Sequence, residues 1–293
     1  MTAKKHLRIG YWNVRTLLQT GKNFQLLREI VNYKLDILGV SEIRWTGADK
    51  IFIKEEKMHI IYLCQNDDLH SEGVAIVMSK EAEKSLIQWE PISERLITAR
   101  FQTRFVKVTI IQCYAPTVIV IQCYAPTVTI IQCYAPTNDH NDEDKGKFYN
   151  QLQSLINKTP SHDLLLVMGD FSAKIGNDNI GVERTIDTHG IGQLNQNGKR
   201  LLELCQVSDL CISNTTFQLK DIHKVTWNSP DDRTKNQIDH ICINNKYRSF
   251  IQDVRAYRGA DIGSDHNLCI AKLKVKLKCR KQTKLLRRST HRD

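Results

Sequence analysis

The order of apolar and polar residues divides the chain into short buried strands and a few amphipathic helices. Leu7–Val14 (LRIGYWNV) is apolar enough for a strand and brings Asn13 to its end. Phe24–Tyr33 carries Phe24, Leu27, Ile30 and Val31 at helical spacing, and Ile37–Val40 follows as a strand that stops at Ser41-Glu42. Two strands joined by a helix put Asn13 and Glu42 at one edge of a sheet. His59–Cys64 and Gly73–Ser79 are expected as further strands around a polar turn at Asn66–Glu72. Leu96–Phe101 and Arg104–Ile111 alternate about a short connection, a hairpin pattern. Asn138–Lys147 reads as a polar, acidic loop and Phe148–Ile156 as a helix. Leu164–Ser172 (LLLVMGDFS) is then a buried strand that delivers Asp170 to the rim of a sheet, with Gly169 read as the turn that frees the carboxylate. Asp178–Gly198, rich in Gly, Asn and Asp, reads as a long surface loop. Lys199–Cys205 is expected as a helix, and Leu210–Ser213, Val225–Trp227 and Gln237–Ile243 as strands. Gly263–Leu273 is a polar turn running into a final strand.

One feature departs from this ordinary alternation. Val108–Thr117, Val118–Thr127 and Val128–Thr137 are tandem copies of one ten-residue unit, VTIIQCYAPT or VIVIQCYAPT. Each is an apolar strand stopped by Ala-Pro, because proline cannot continue a central ladder. The period is too short for the common solenoids, so the unit reads as a local duplication in a fold that needs one copy. Strands running out, back and out again would bring Tyr114 and Tyr134 to the same end, with Tyr124 opposite.

Composition narrows the class. With 41% hydrophobic and 25% charged residues, 293 residues suit a globular chain with a sizeable core. No apolar run approaches the roughly 18 residues of a membrane span. The N-terminal MTAKKHLRIG lacks an apolar core, so no secretory leader is expected. Nine cysteines without CxxC pairs point to reduced thiols in the nucleus or cytoplasm. The net charge of +10, much of it in Lys272–Arg292, suits a polyanionic partner. One domain over residues 1–275 and a basic tail at 276–293 is the expected organisation, with no membrane partner and no protein partner inferable.

The polar residues at the strand ends carry the chemistry. In order they are Asn13, Glu42, a tyrosine of the repeat, Asp170, Asp239 and the Asp265-His266 pair. Glu42 with Asn13 or Asp265 offers hard oxygen ligands for Mg2+ or Mn2+. His266 beside a carboxylate such as Asp239 makes an oriented imidazole, and Asp170 can deprotonate or orient a water. Each also has a duller reading: Glu42 as a helix cap, Asp239 in a surface ion pair, His266 as a core histidine. Together they suffice for a metal-dependent hydrolase.

These motifs, in this order, resemble a known family. Tyr11–Val14 (YWNV), Ser41-Glu42, Gly73–Val77 (GVAIV), the repeated YAPT, Gly169–Ser172 (GDFS), Gln237–Asp239 (QID) and Gly263–His266 (GSDH) resemble those of the endonuclease/exonuclease/phosphatase superfamily. Within it, the likeness is nearest to the apurinic-type endonuclease domain of RTE-class non-LTR retrotransposons, which craniofacial development protein 2-like proteins also carry. It runs from about residue 7 to 275. No reverse-transcriptase segment follows, so a stand-alone or truncated endonuclease is expected.

The resemblance implies an α/β (α+β) fold: a four-layer αββα sandwich of two mixed sheets flanked by helices, with the triplicated strand segment inserted. It implies Glu42 as the main Mg2+ (or Mn2+) ligand, with Asn13 and Asp265 near the metal. Asp170 activates the attacking water, and His266, oriented by Asp239, contacts the scissile phosphate. Tyr134, or its duplicate Tyr114, donates to the phosphate, and Asp265 sits near the metal or leaving group. DNA is the implied partner, with Trp227 and Arg15 as contacts. Two positions depart from the family pattern. Ser172 stands where the GDxN motif has Asn, and Arg15 stands where many relatives acting on abasic sites keep an acid. A catalytically inactive remnant that binds nucleic acid through its basic surface is the alternative. A hydrolase of phosphomonoesters or lipid phosphates is a third.

Overall fold

In the computed structural model, residues 6–53, 58–63, 73–93, 96–102, 107–113, 127–135, 137, 141–159, 161 and 164–275 are described. The N-terminal half holds β1 (Leu7–Asn13), α1 (Lys22–Asn32), β2 (Ile37–Ser41), β3 (Ala48–Ile53), β4 (Met58–Leu63), β5 (Val74–Ser79), α2 (Lys80–Glu83), β6 (Leu86–Ser93), β7 (Leu96–Gln102), β8 (Lys107–Cys113) and β9 (Thr127–Tyr134). It is followed by α3 (Asp142–Lys158), β10 (Leu164–Asp170), α4 (Gln196–Val207), β11 (Leu210–Ile212), β12 (Trp227–Asn228), β13 (Lys235–Asn236), β14 (Asp239–Asn244), β15 (Ile251–Tyr257) and β16 (Leu268–Leu273).

Two mixed sheets of seven strands organise these elements, in the orders β15-β16-β1-β2-β5-β4-β3 and β11-β14-β10-β9-β8-β7-β6. Three apolar clusters show how they stack. One joins Leu7, Ile9 and Ile76 of the first sheet to Leu166, Met168 and Ile241 of the second. Another packs Leu26, Leu27 and Ile30 of α1 on the outer face of the first sheet, and a third packs Phe148, Leu152 and Leu201 of α3 and α4 on the second. Helix, sheet, sheet and helices therefore form successive layers.

The pattern of apolar positions located the central strands and misplaced several flanks. Helix α1 buries Leu26, Leu27 and Ile30, whereas Phe24 and Val31, assigned to its inner face from the sequence, are about half exposed. The expected loop at Asn138–Lys147 is largely the start of α3: Asn141 caps it by accepting from the Asp144 N–H at 2.8 Å, and Asp142, Glu143 and Asp144 fill the first turn. Acids there are favoured by the helix dipole. Likewise the long loop gives up Gln196–Gly198 to α4, which Asn195 caps. Strands β6 and β15, unrecognised in the sequence, contain register shifts that break the period of two. Strand β3, also missed, has an exposed or half-exposed face at every position. Gly169 is an ordinary residue of β10; the left-handed backbone lies at Ser172, with φ 48°.

The repeats divide the work of one strand. The first copy forms β8 and pairs antiparallel with β7; the third forms β9 and pairs parallel with β10. Between them β8 and β9 pair parallel, Val108 opposite Val128 and Gln112 opposite Gln132. The first and third copies run the same way, as expected, but they are direct neighbours, so the middle copy is not the strand between them. Residues 114–126, which include Tyr114, Tyr124 and all of the middle copy but Thr127, lie outside the described residues, as do the turn Asn66–Glu72 and the basic tail 276–293.

Candidate active site

The site grows from strand ends that the two sheets bring together. Parallel pairing sets Asn13, the last residue of β1, opposite Ser41, the last of β2. Glu42 then leaves the strand with φ 57°, and the Asn13 amide Nδ2 donates to its Oε1 at 2.9 Å. Arg44 donates to the other oxygen at 3.2 Å. In the second sheet Asp170 ends β10 and Asp239 begins β14, directly opposite one another. Tyr134 of β9 stands opposite Asp170 on its other side.

The GSDH turn bridges the sheets. Ser264 Oγ donates to the Asn13 carbonyl at 2.7 Å and accepts the His266 N–H at 3.1 Å, while Trp12 Nε1 donates to the His266 carbonyl at 3.0 Å. The backbone of His266 is thus anchored to β1, and its ring reaches the second sheet. There Nδ1 lies 3.2 Å from Asp239 Oδ2 and Nε2 lies 3.5 Å from Asp170 Oδ2. Asp170 and Asp239 are 3% and 2% exposed, so Asp239 belongs to no surface ion pair. Ser172 contributes its backbone N–H to Asp170 Oδ1 at 2.8 Å.

Burial and charge set the protonation states. Burial, and then the negative charge of Asp239, push the Asp170 carboxyl up to about 7, against the opposing pull of His266 and the Ser172 N–H. Burial alone would lower the His266 imidazole; the carboxylates of Asp239 and Asp170 outweigh it and raise it to about 10. Near neutrality the pair is a protonated imidazole facing a carboxyl poised between its two forms.

A divalent metal can be tested against these donors. Asp170, Asp239 and His266 offer ligand atoms within 4.8 Å of one another. In His266, however, both ring nitrogens already face carboxylates, and a held proton leaves no lone pair for a metal. Glu42 is a better donor: a carboxylate beside the Asn13 amide, its side chain 13% exposed, supplying the hard oxygens that Mg2+ or Mn2+ prefers. The residues present fit such an ion at Glu42.

The remaining expected residues lie around this centre. Asp265 Oδ2 accepts from Trp227 Nε1 at 3.2 Å and faces Arg15 Nη1 at 3.5 Å. The Trp227 indole N–H is thereby engaged within the chain, and Arg15 keeps more than half of its side chain exposed. Sequence reasoning missed the supports: Trp12 and Ser264 inside quoted motifs, Arg44 in SEIR, and Thr226 and Asn214, which hold β14.

No family model matches the chain. Craniofacial development protein 2 of Bos taurus is 36% identical over 276 residues, 94% of this chain and 42% of that protein. The Tragulus javanicus protein of that name is 35% identical over 94% of this chain and 43% of its own length. The chain therefore spans less than half the length of these curated relatives. Among solved structures, the Xenopus laevis APE2 catalytic domain aligns with a TM-score of 0.61 at 14% identity, over 93% of this chain and 95% of that one. The endonuclease domain of TRAS1, a telomere-specific non-LTR retrotransposon, aligns at 0.56 and 14%, over 92% and 98%. The chain has the same fold as these two domains. A Neisseria 3' phosphatase, NExo, solved with a product DNA hairpin, shares that fold at a TM-score of 0.56 and 17% identity, over 91% and 99%.

Proposed function

We propose that the chain is a Mg2+-dependent phosphodiester hydrolase that nicks DNA, descended from a retroelement endonuclease. The observation that carries this reading is His266 held between Asp239 and Asp170, beside the Glu42–Asn13 pair. DNA as substrate is supported by the net charge of +10 and by the DNA hairpin in the NExo structure.

Each residue has a task in that reaction. Asp170, ionised, takes a proton from the attacking water. His266, protonated and held by Asp239, donates to a non-bridging oxygen where charge builds up, and the Tyr134 phenol supports the same phosphate. Buried donors aimed at developing charge act strongly because little water screens them. Glu42, with Asn13 and Asp265 near it, would hold the metal, which supplies Lewis-acid stabilisation of the phosphoryl oxygens.

A second reading rests on Ser172. An asparagine amide offers a donor and an acceptor at longer reach than a serine hydroxyl. On this reading the chain binds nucleic acid without cutting it. A nicking assay on supercoiled plasmid with Mg2+ decides between them. Cleavage lost in both Glu42→Ala and His266→Ala supports the enzyme. Folded protein that binds DNA in a salt-sensitive way, never nicks it, and is unchanged by either substitution supports the remnant.

A further inference from the structure

Asp239 orients His266, and two buried side chains from other segments hold its own backbone. Thr226 Oγ1 accepts the Asp239 N–H at 3.0 Å and also the Ile238 N–H at 3.0 Å. Asn214 Nδ2 donates to the Asp239 carbonyl at 3.3 Å. Thr226 is fully buried, so no water replaces that hydroxyl.

The surrounding backbone shows what Thr226 connects. Its N–H donates to the Asn236 carbonyl at 2.9 Å, and its carbonyl accepts the Asn267 N–H at 2.8 Å. Asn267 Nδ2 returns a bond to the Val225 carbonyl at 2.9 Å, and the Asn228 N–H donates to the Asp265 carbonyl at 3.0 Å. Residues 225–228 are therefore stitched on one side to the segment entering Asp239 and on the other to the segment carrying His266. The separation of the two relay groups is set across this short strand.

We propose that Thr226 is a positioning residue of the site, its hydroxyl fixing Asp239 at hydrogen-bonding distance from His266. The inference rests on the phosphodiesterase reading for its kinetic consequence and on geometry alone for its structural one. Removing the hydroxyl leaves two buried N–H groups without their acceptor, which the start of β14 relieves by shifting. Valine keeps the shape and removes the acceptor; serine keeps the acceptor and removes the methyl.

Two measurements on the full chain test it. The first is the downfield proton resonance of the His266 Nδ1–H bonded to Asp239, assigned by its absence in His266→Gln and read without DNA or metal. It is expected in the wild-type chain and in Thr226→Ser, and lost or moved upfield in Thr226→Val. The second is plasmid nicking with Mg2+, where Thr226→Val lowers kcat about tenfold to a hundredfold with KM unchanged and Thr226→Ser restores it. The proposal is overturned if Thr226→Val keeps the resonance, if Thr226→Ser behaves like Thr226→Val, or if Thr226→Val and Thr226→Ala both fail to fold. A wild-type chain that does not nick DNA sinks the enzyme reading while the resonance still reports on positioning.

Discussion

His266 Nδ1 lies 3.2 Å from Asp239 Oδ2, their side chains 9% and 3% exposed, although Asp239 starts β14 and His266 lies in the turn before β16 with its backbone anchored to the opposite sheet. An ion pair built this way holds the ring in one orientation and keeps it charged. Asp239→Asn preserves the shape and removes the charge, so it is expected to cut nicking on the order of 10³-fold with little change in DNA affinity. A filter-binding assay beside the kinetics separates the two effects. Equal losses in binding and turnover would argue against an orienting role.

The two shifted groups give a pH profile. Asp170 must be ionised to accept a proton, so nicking is expected to rise with pH through about 7. His266 must keep its proton, so activity falls as pH rises through about 10. Stability follows the same groups. Both folded values are raised above the ordinary ones, 3.8 for Asp170 and 6.5 for His266. The Asp170 contribution is thus full below about 3.8 and lost as pH rises through about 7, and that of His266 is full below about 6.5 and lost through about 10. A profile flat between pH 6 and 8 in rate would contradict the role given to Asp170.

Metal binding is readable without turnover. With Mg2+ at about a hundred times its dissociation constant, the chain gains roughly 2.7 kcal/mol of stability and melts at a higher temperature. Glu42→Gln keeps the size and removes the charge, and is expected to abolish that rise. If the shift survives in Glu42→Gln, the ion sits elsewhere.

Ser172 has a left-handed backbone, φ 48°, a conformation that Asn adopts more readily than Ser. Ser172→Asn is therefore expected to fold without strain and to raise nicking on the order of 10²–10³-fold. No gain in rate would mean that the site lacks more than this amide.

The division of labour between β8 and β9 makes a deletion informative. Removing residues 114–133 joins Cys113 to Tyr134 and leaves one copy able to pair with both β7 and β10. The shortened chain is expected to fold with a melting temperature within roughly 5 °C of the parent. Retained nicking would show that one tyrosine of the unit suffices, because the shortened chain carries a single YAPT. Failure to fold would show that the wider sheet has become necessary.

The run of apolar positions was enough to find the strands that face the core and the polar residues at their ends. Runs such as LLLVM in β10 have few ways to bury themselves; Asn13, Glu42 and Asp170 follow from where such runs stop, and Asp239 from where one starts. The sequence also showed the missing motif asparagine. It did not disclose β6 and β15, because their bulges break the alternation on which recognition depends. That the first and third repeats pair directly came from the fold, since identical strands carry no information about which neighbour each takes. The fold alone set His266 against Asp239, 27 residues away, and Thr226 between their segments. Those distances are products of sheet register and of packing between sheets, which no local pattern encodes.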